Sequence, residues 1–116
     1  MELNNYQEMA MTTCMPSCEN FSYMFLNLVG EVGEFSSKVA KYIRKGRADV
    51  RRNHIELNIS DEELTDLKNE VGDMLWQTAG LCKVMGWSLE DVAQMNLNKL
   101  SSRQKRGVID GNGDNR

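Results

Sequence analysis

Apolar residues recur at helical spacing in successive stretches of this chain, separated by glycine, proline and polar punctuation. Leu3, Tyr6, Met9, Ala10 and Thr13 recur every three to four residues, which predicts a short amphipathic helix ending before Pro16. From Glu19 to Lys45, Phe21, Phe25, Leu28, Val32, Phe35, Val39 and Ile43 alternate steps of four and three, the pattern of a helix face packed in a bundle, and Gly46 is the natural stop. Residues 47–59 are polar and basic without a period and are expected to form a loop.

Ser60 with Glu63 forms the sequence signature of a capping box, so a third helix is expected to start there. It carries Leu64, Leu67, Val71, Met74, Thr78, Leu81 and Met85 and stops at Gly86. Ser88 with Asp91 marks a further start, with Trp87 and Val92 placed as a hydrophobic staple; this fourth helix is expected to run to about Arg103. Residues 104–116 hold three glycines and no usable period, and by themselves read as a flexible, basic tail. The predicted fold class is all-α, a four-helix-type bundle in a single domain spanning 1–116.

Composition narrows the function classes. At 116 residues the chain has room for one domain with its own core, and its net charge of −3 gives no basic field for a nucleic-acid polymer. The apolar run from Met24 to Val32 is broken by Asn27 and Glu31, too short for a membrane span, and the N-terminus lacks a secretion signal, so a soluble, cytoplasmic protein is expected. Cys14, Cys18 and Cys82 form no CxxC pairs and are expected to be reduced thiols. His54 is the single histidine, which disfavours Ser-His or Cys-His chemistry.

Chemistry concentrates in the carboxylates. At about 100° per residue, Glu31 and Glu34 lie about 60° apart on one flank of the second helix's apolar stripe, and Glu70 and Asp73 lie about 60° apart on the corresponding flank of the third. Packing the two stripes together is expected to gather four acids, an arrangement that mutual repulsion opposes unless a divalent cation holds them. Oxygen-only ligands fit Mg²⁺ or Mn²⁺; a carboxylate di-iron bundle would call for Glu-x-x-His, and no histidine stands near these acids. Isolated ExxE pairs are usually solvated surface. Two pairs on packing shoulders are less easily explained that way. Gly30, Gly33 and Gly72 strengthen the case, since glycine inside a helix costs about 1 kcal/mol relative to alanine, and they predict close approach of a backbone or ligand.

Lys38, one turn beyond Glu34, and Lys99 and Arg103, a turn apart on the fourth helix, are candidate phosphate contacts, with a solvated surface role as the alternative. Arg106 and Arg116 are candidates to close over phosphates from the tail. Phe21, Met24, Phe25 and Trp76 have the reach to stack on a base but more often serve as core or interface. Trp76 lies roughly opposite the third helix's stripe and is expected at a subunit contact.

Gly-Glu-Val-Gly-Glu at 30–34 and Glu-Val-Gly-Asp-Met-Leu-Trp at 70–76 resemble the ExxE and ExxD signature of MazG-like nucleotide pyrophosphohydrolases. Asn96 to Lys99 resembles that family's Asn-x-x-Lys element, and the ending from Arg106 to Arg116 resembles that of small bacterial and phage members. Gly30 departs from relatives that carry a further acid there. The resemblance implies an all-α bundle assembled as a homodimer or homotetramer. It also implies Mg²⁺-dependent cleavage of a nucleoside triphosphate to monophosphate and pyrophosphate, in nucleotide-pool house-cleaning. Glu31, Glu34, Glu70 and Asp73 would be the metal ligands, with Glu34 or Glu31 also handling the attacking water; Lys38, Asn96, Lys99, Arg103, Arg106 and Arg116 would meet substrate. A relative acting on dUTP, dUDP or phosphoribosyl-ATP, and a non-catalytic nucleotide-binding or antitoxin-like module, are the competing readings.

Overall fold

Each long helix begins at a side chain that caps it and ends at a glycine. In a computed structural model that describes residues 1–51 and 54–116, the helices are α1 (Leu3–Met11), α2 (Phe21–Arg44), α3 (Asp61–Val84) and α4 (Leu89–Lys105). A 3-10 turn at Pro16–Cys18 joins the first two. Asn20, Ser60 and Ser88 accept hydrogen bonds from the backbone N–H groups of Tyr23, Glu63 and Asp91, and the Ser60–Glu63 capping box is complete in both directions. Gly46 and Gly86 adopt φ of 71° and 76°, a left-handed region that favours glycine. There Arg47 and Trp87 donate back to the carbonyls of Tyr42 and Cys82, both at 2.8 Å, and close the helix ends.

The expected loop at 47–59 proves to hold an antiparallel hairpin, β1 (Ala48–Arg51) and β2 (His54–Leu57), registered Ala48 to Leu57 and Val50 to Ile55. Residues 52 and 53 of that expected loop lie outside the described residues. The cross-strand Val50–Ile55 pair supplies the β preference, which the surrounding charges hid from a periodicity reading. Arg47 fastens the hairpin to the bundle. Its guanidinium lies 5.4 Å from the Tyr42 ring centroid, donates to Glu63 Oε2 at 2.9 Å and to the Asn58 carbonyl at 3.2 Å.

α2 and α3 form the main helix pair, and their contact differs from the expected one. On α2 the buried residues are Met24 and Tyr42, whereas Phe21, Phe25, Val32 and Ile43 of the apolar stripe are 47–53% exposed. Met24 and Tyr42 share a direction about 60° from the stripe's centre, on the side of Glu31. α3 is turned likewise, placing buried Gln77 and Gly80 inward and leaving Val71 exposed. The close approach occurs at Gly80: a Cβ there would lie 2.6 Å from Met24 Cε, and Met24 has no exposed surface. Gly33 and Gly72, expected at close approaches, face open space, and Gly30 has only an ordinary contact with Asn27.

α1 covers the far side of α3. Met11 joins Met24, Ala79, Cys82 and Leu89 in the core. Trp76, expected at a subunit contact, is instead held within the chain: its Nε1 donates to the Ala10 carbonyl and to Thr13 Oγ1 at 3.0 and 2.9 Å. α1 packs on the face that the α2 contact leaves free, which the apolar period of α3 alone does not reveal. Gln7 bridges α1 to the α3–α4 corner. Its Nε2 donates to the carbonyls of Ala79 and Trp87, and its Oε1 accepts from the Leu89 N–H. The radius of gyration is 17.4 Å, against roughly 13 Å for a compact chain of this length.

The Glu63 carboxyl is pulled down to about 2 from an ordinary 4.5, first by the Arg47 hydrogen bond and then by the Ser60 N–H. A depressed carboxyl stabilises the fold above its ordinary pKa and loses that contribution as pH falls through the folded value. Glu63→Gln is therefore expected to lower the thermal midpoint at neutral pH, with the gap to wild type closing between about 4.5 and about 2. Melting curves across that range check it, and a gap that stays constant would disconnect Glu63 from acid stability.

Candidate functional site

Turning the facing sides of α2 and α3 toward their acids places carboxylates in the helix interface itself. Oxygen atoms of Glu31, Glu70 and Asp73 all lie within 4.8 Å of one another, with Glu31 and Glu70 half-buried and Asp73 exposed. Lys38 Nζ donates to Glu70 Oε1 at 2.7 Å and is the cation paired directly with this group among the described residues. Asn27 Nδ2 approaches Glu31 Oε1 at 3.5 Å, at the edge of hydrogen-bond range.

The Glu31 carboxyl is raised above its ordinary range. Burial is the largest cause, followed by the charges of Asp73 and Glu70, a hydrogen bond shared with Glu70, and the charge of Glu34. The Tyr6 phenol is likewise pushed up by burial and then by Asp73. Lys38 is raised, chiefly by its hydrogen bond to Glu70. Three of the four expected acids thus converge, while Glu34 is exposed beside them, close enough for its charge to act on Glu31.

The residue types suit a hard divalent cation. Three oxygen donors with one lysine counter-charge leave uncompensated negative charge in a half-buried place, which a Mg²⁺ or Mn²⁺ ion would relieve. Residues 19–108, which contain both acid pairs, match the family described as the MazG nucleotide pyrophosphohydrolase domain. The chain belongs to that family. It is also 43% identical over 100 residues to the Gene 37 protein of Mycobacterium phage L5, covering 86% of this chain and 80% of that protein. No solved structure was found to match it.

Within the MazG chain, the matched span excludes α1 and most of the tail, yet both reach candidate site residues. Tyr6, which the sequence pattern marks only as part of the first helix's apolar face, comes from α1 to the neighbourhood of Asp73. Asn27, which sequence reasoning passed over as a site residue, stands four residues before Glu31; that spacing is visible in sequence, but which helix face turns inward is not.

Apart from Lys38, the substrate-contact candidates lie separately, on α4 and in the tail that follows it. Asn96 and Lys99 line a groove of about 800 Å³ with Trp87, Val92 and Met95. Arg103 is only 4% exposed and donates from Nη2 to the main-chain oxygen and Oδ1 of Asp114, at 2.8 and 3.2 Å; Lys99 Nζ reaches the same Oδ1 at 3.4 Å. These contacts hold the Asp114 carboxyl below its usual range, Arg103 contributing most. Residues 106–116, expected to be flexible, fold back onto α4. Arg116 Nε and Nη2 donate to the carbonyls of Val108 and Ile109, and Arg106 Nη2 donates to the main-chain oxygen of Arg116. Among the described residues no hydrogen bond or ion pair joins these basic side chains to the acids of α2 and α3.

In the MazG chain without metal, Glu31→Gln and Asp73→Asn are each expected to raise the thermal midpoint by a few degrees, because each removes repulsion among crowded carboxylates. Mg²⁺ at a hundredfold excess over its dissociation constant should add about 2.7 kcal/mol to wild type and much less to the double variant. Scanning calorimetry with and without Mg²⁺ measures both effects. Equal metal stabilisation of wild type and double variant would place the ion elsewhere.

Proposed function

We propose that this protein hydrolyses nucleoside or deoxynucleoside triphosphates to the monophosphate and pyrophosphate, with Glu31, Glu34, Glu70 and Asp73 holding Mg²⁺ or Mn²⁺. The observation that carries this reading is the convergence of Glu31, Glu70 and Asp73 between two helices, in a chain of the MazG family. The bound cation would neutralise charge on the triphosphate and acidify a bound water. In this reading Glu34, exposed beside the cluster, would accept the proton of the water that attacks the α-phosphorus. The bond broken is that from the α-phosphorus to the bridging oxygen, so pyrophosphate departs whole. Lys38, which pairs with Glu70 at 2.7 Å, would offer its ammonium to a phosphate oxygen of the substrate.

Lys99 and Arg103 serve as phosphate contacts in this reading, and Asn96 with the Trp87 groove as the place for the nucleoside. A second copy of the chain would cover the stripe of Phe21, Phe25, Val29 and Val32, which the described chain leaves 47–59% exposed. Such a homodimer or homotetramer also accounts for the extended shape.

The deciding assay is release of pyrophosphate over all nucleoside and deoxynucleoside triphosphates, with dUDP and phosphoribosyl-ATP alongside. Activity is expected only with Mg²⁺ or Mn²⁺, and orthophosphate without pyrophosphate would overturn the reading. Glu34→Gln and Asp73→Asn should each cost at least the roughly 10–100-fold typical of disturbing a metal site's supporting partners. The double variant should lose little more than either alone, because groups serving one function are non-additive.

A further inference from the structure

The tail carries a feature that composition conceals: it is closed by its own arginine. Arg116 donates to the carbonyls of Val108 and Ile109, and its Cδ packs so tightly on Gly111 that a Cβ there would lie 2.6 Å from it and 3.1 Å from the Val108 oxygen. This closure delivers Asp114 to α4. Its carboxylate, 84% exposed at the rim, meets both Lys99 and the nearly buried Arg103.

The arrangement leaves one group unsatisfied. Arg103 Nε is buried without any partner, although Nη2 of the same guanidinium has two. A buried charged donor without an acceptor is costly, and one carboxylate with one carbonyl does not exhaust a five-donor guanidinium. A phosphate presents more acceptor oxygens than Asp114 does and carries more charge. Its planar fork makes arginine well suited to such an anion.

We propose that the folded tail is a displaceable latch, in which the Asp114 carboxylate occupies the position that a substrate phosphate takes on Lys99 and Arg103. This rests on the reading of those two residues as phosphate contacts, and it adds that the resting chain competes with its own substrate. A nucleotide engaging the pair releases Asp114 and loosens residues 107–116; product departure lets the tail close again. A contrary role, in which Asp114 orients the two cations for substrate, predicts the opposite response to its removal.

The test uses the full chain and inorganic tripolyphosphate without divalent cation, so that turnover plays no part. Calorimetry is expected to show about tenfold tighter binding to Asp114→Asn than to wild type, the scale of one charge-assisted hydrogen bond. Arg116→Ala, which unties the tail while keeping Asp114, should shift affinity the same way. Hydrogen exchange of residues 107–116 in wild type should rise when tripolyphosphate is added. Unchanged or weaker binding by Asp114→Asn, no binding by either protein, or increased tail protection on ligand addition would each overturn the latch. A chain that binds as expected but releases no pyrophosphate would refute the hydrolase reading and leave the latch standing; an active enzyme whose affinity ignores Asp114 would do the reverse.

Discussion

The arrangement of this molecule depends on the contact between Met24 and Gly80. Because α3 has no side chain at Gly80, the methionine of α2 lies against its backbone, and the two helices meet there more closely than larger residues would permit. That approach fixes the rotation of both helices about their axes. It turns inward the side that includes Glu31 and Glu70, and it leaves outward much of the broad apolar stripe. An apolar contact of modest size therefore decides where the charge goes.

Crowding the acids has a cost that the fold offsets only partly. Lys38 compensates Glu70 at 2.7 Å, and Asn27 stands beside Glu31, but Asp73 has no such partner among the described residues. Burial first, and then the neighbouring acids, hold the Glu31 carboxyl above its ordinary range. Such a site gains most from a ligand that brings positive charge, because that charge relieves the repulsion among the acids. The exposed stripe of α2 is the apolar counterpart, a surface that water covers in the single chain.

Much of this was legible in the sequence because it is written locally. The capping box at Ser60, the Ser88 start and the stops at Gly46 and Gly86 each depend on a few neighbouring residues, and all four appear in the structure as expected. The two acid pairs were legible for the same reason. What the pattern misplaced is non-local. The apolar stripe of α2 marks every surface that avoids water and does not say which part faces α3, so the inward side was set about 60° away from Met24. The place of Trp76 is hidden from the sequence pattern because its partners, Ala10 and Thr13, lie more than sixty residues earlier. The tail reads as loose in sequence because glycines and polar residues carry no period, although Arg116 organises them through carbonyls, which no side-chain pattern displays.

Gln7 has a mechanical meaning beyond its hydrogen bonds. Its single amide touches the last turns of α3, the corner and the first N–H of α4, so the bearing of α4 is set partly by a helix that ends at Met11. α4 has 17 residues, or about 25 Å at 1.5 Å per residue. A pivot of about 10° at the corner would carry its far end through about 4 Å, more than the length of a hydrogen bond. The first helix thus acts as the brace of a lever, and the placement of Lys99 and Arg103 is only as accurate as that brace is stiff.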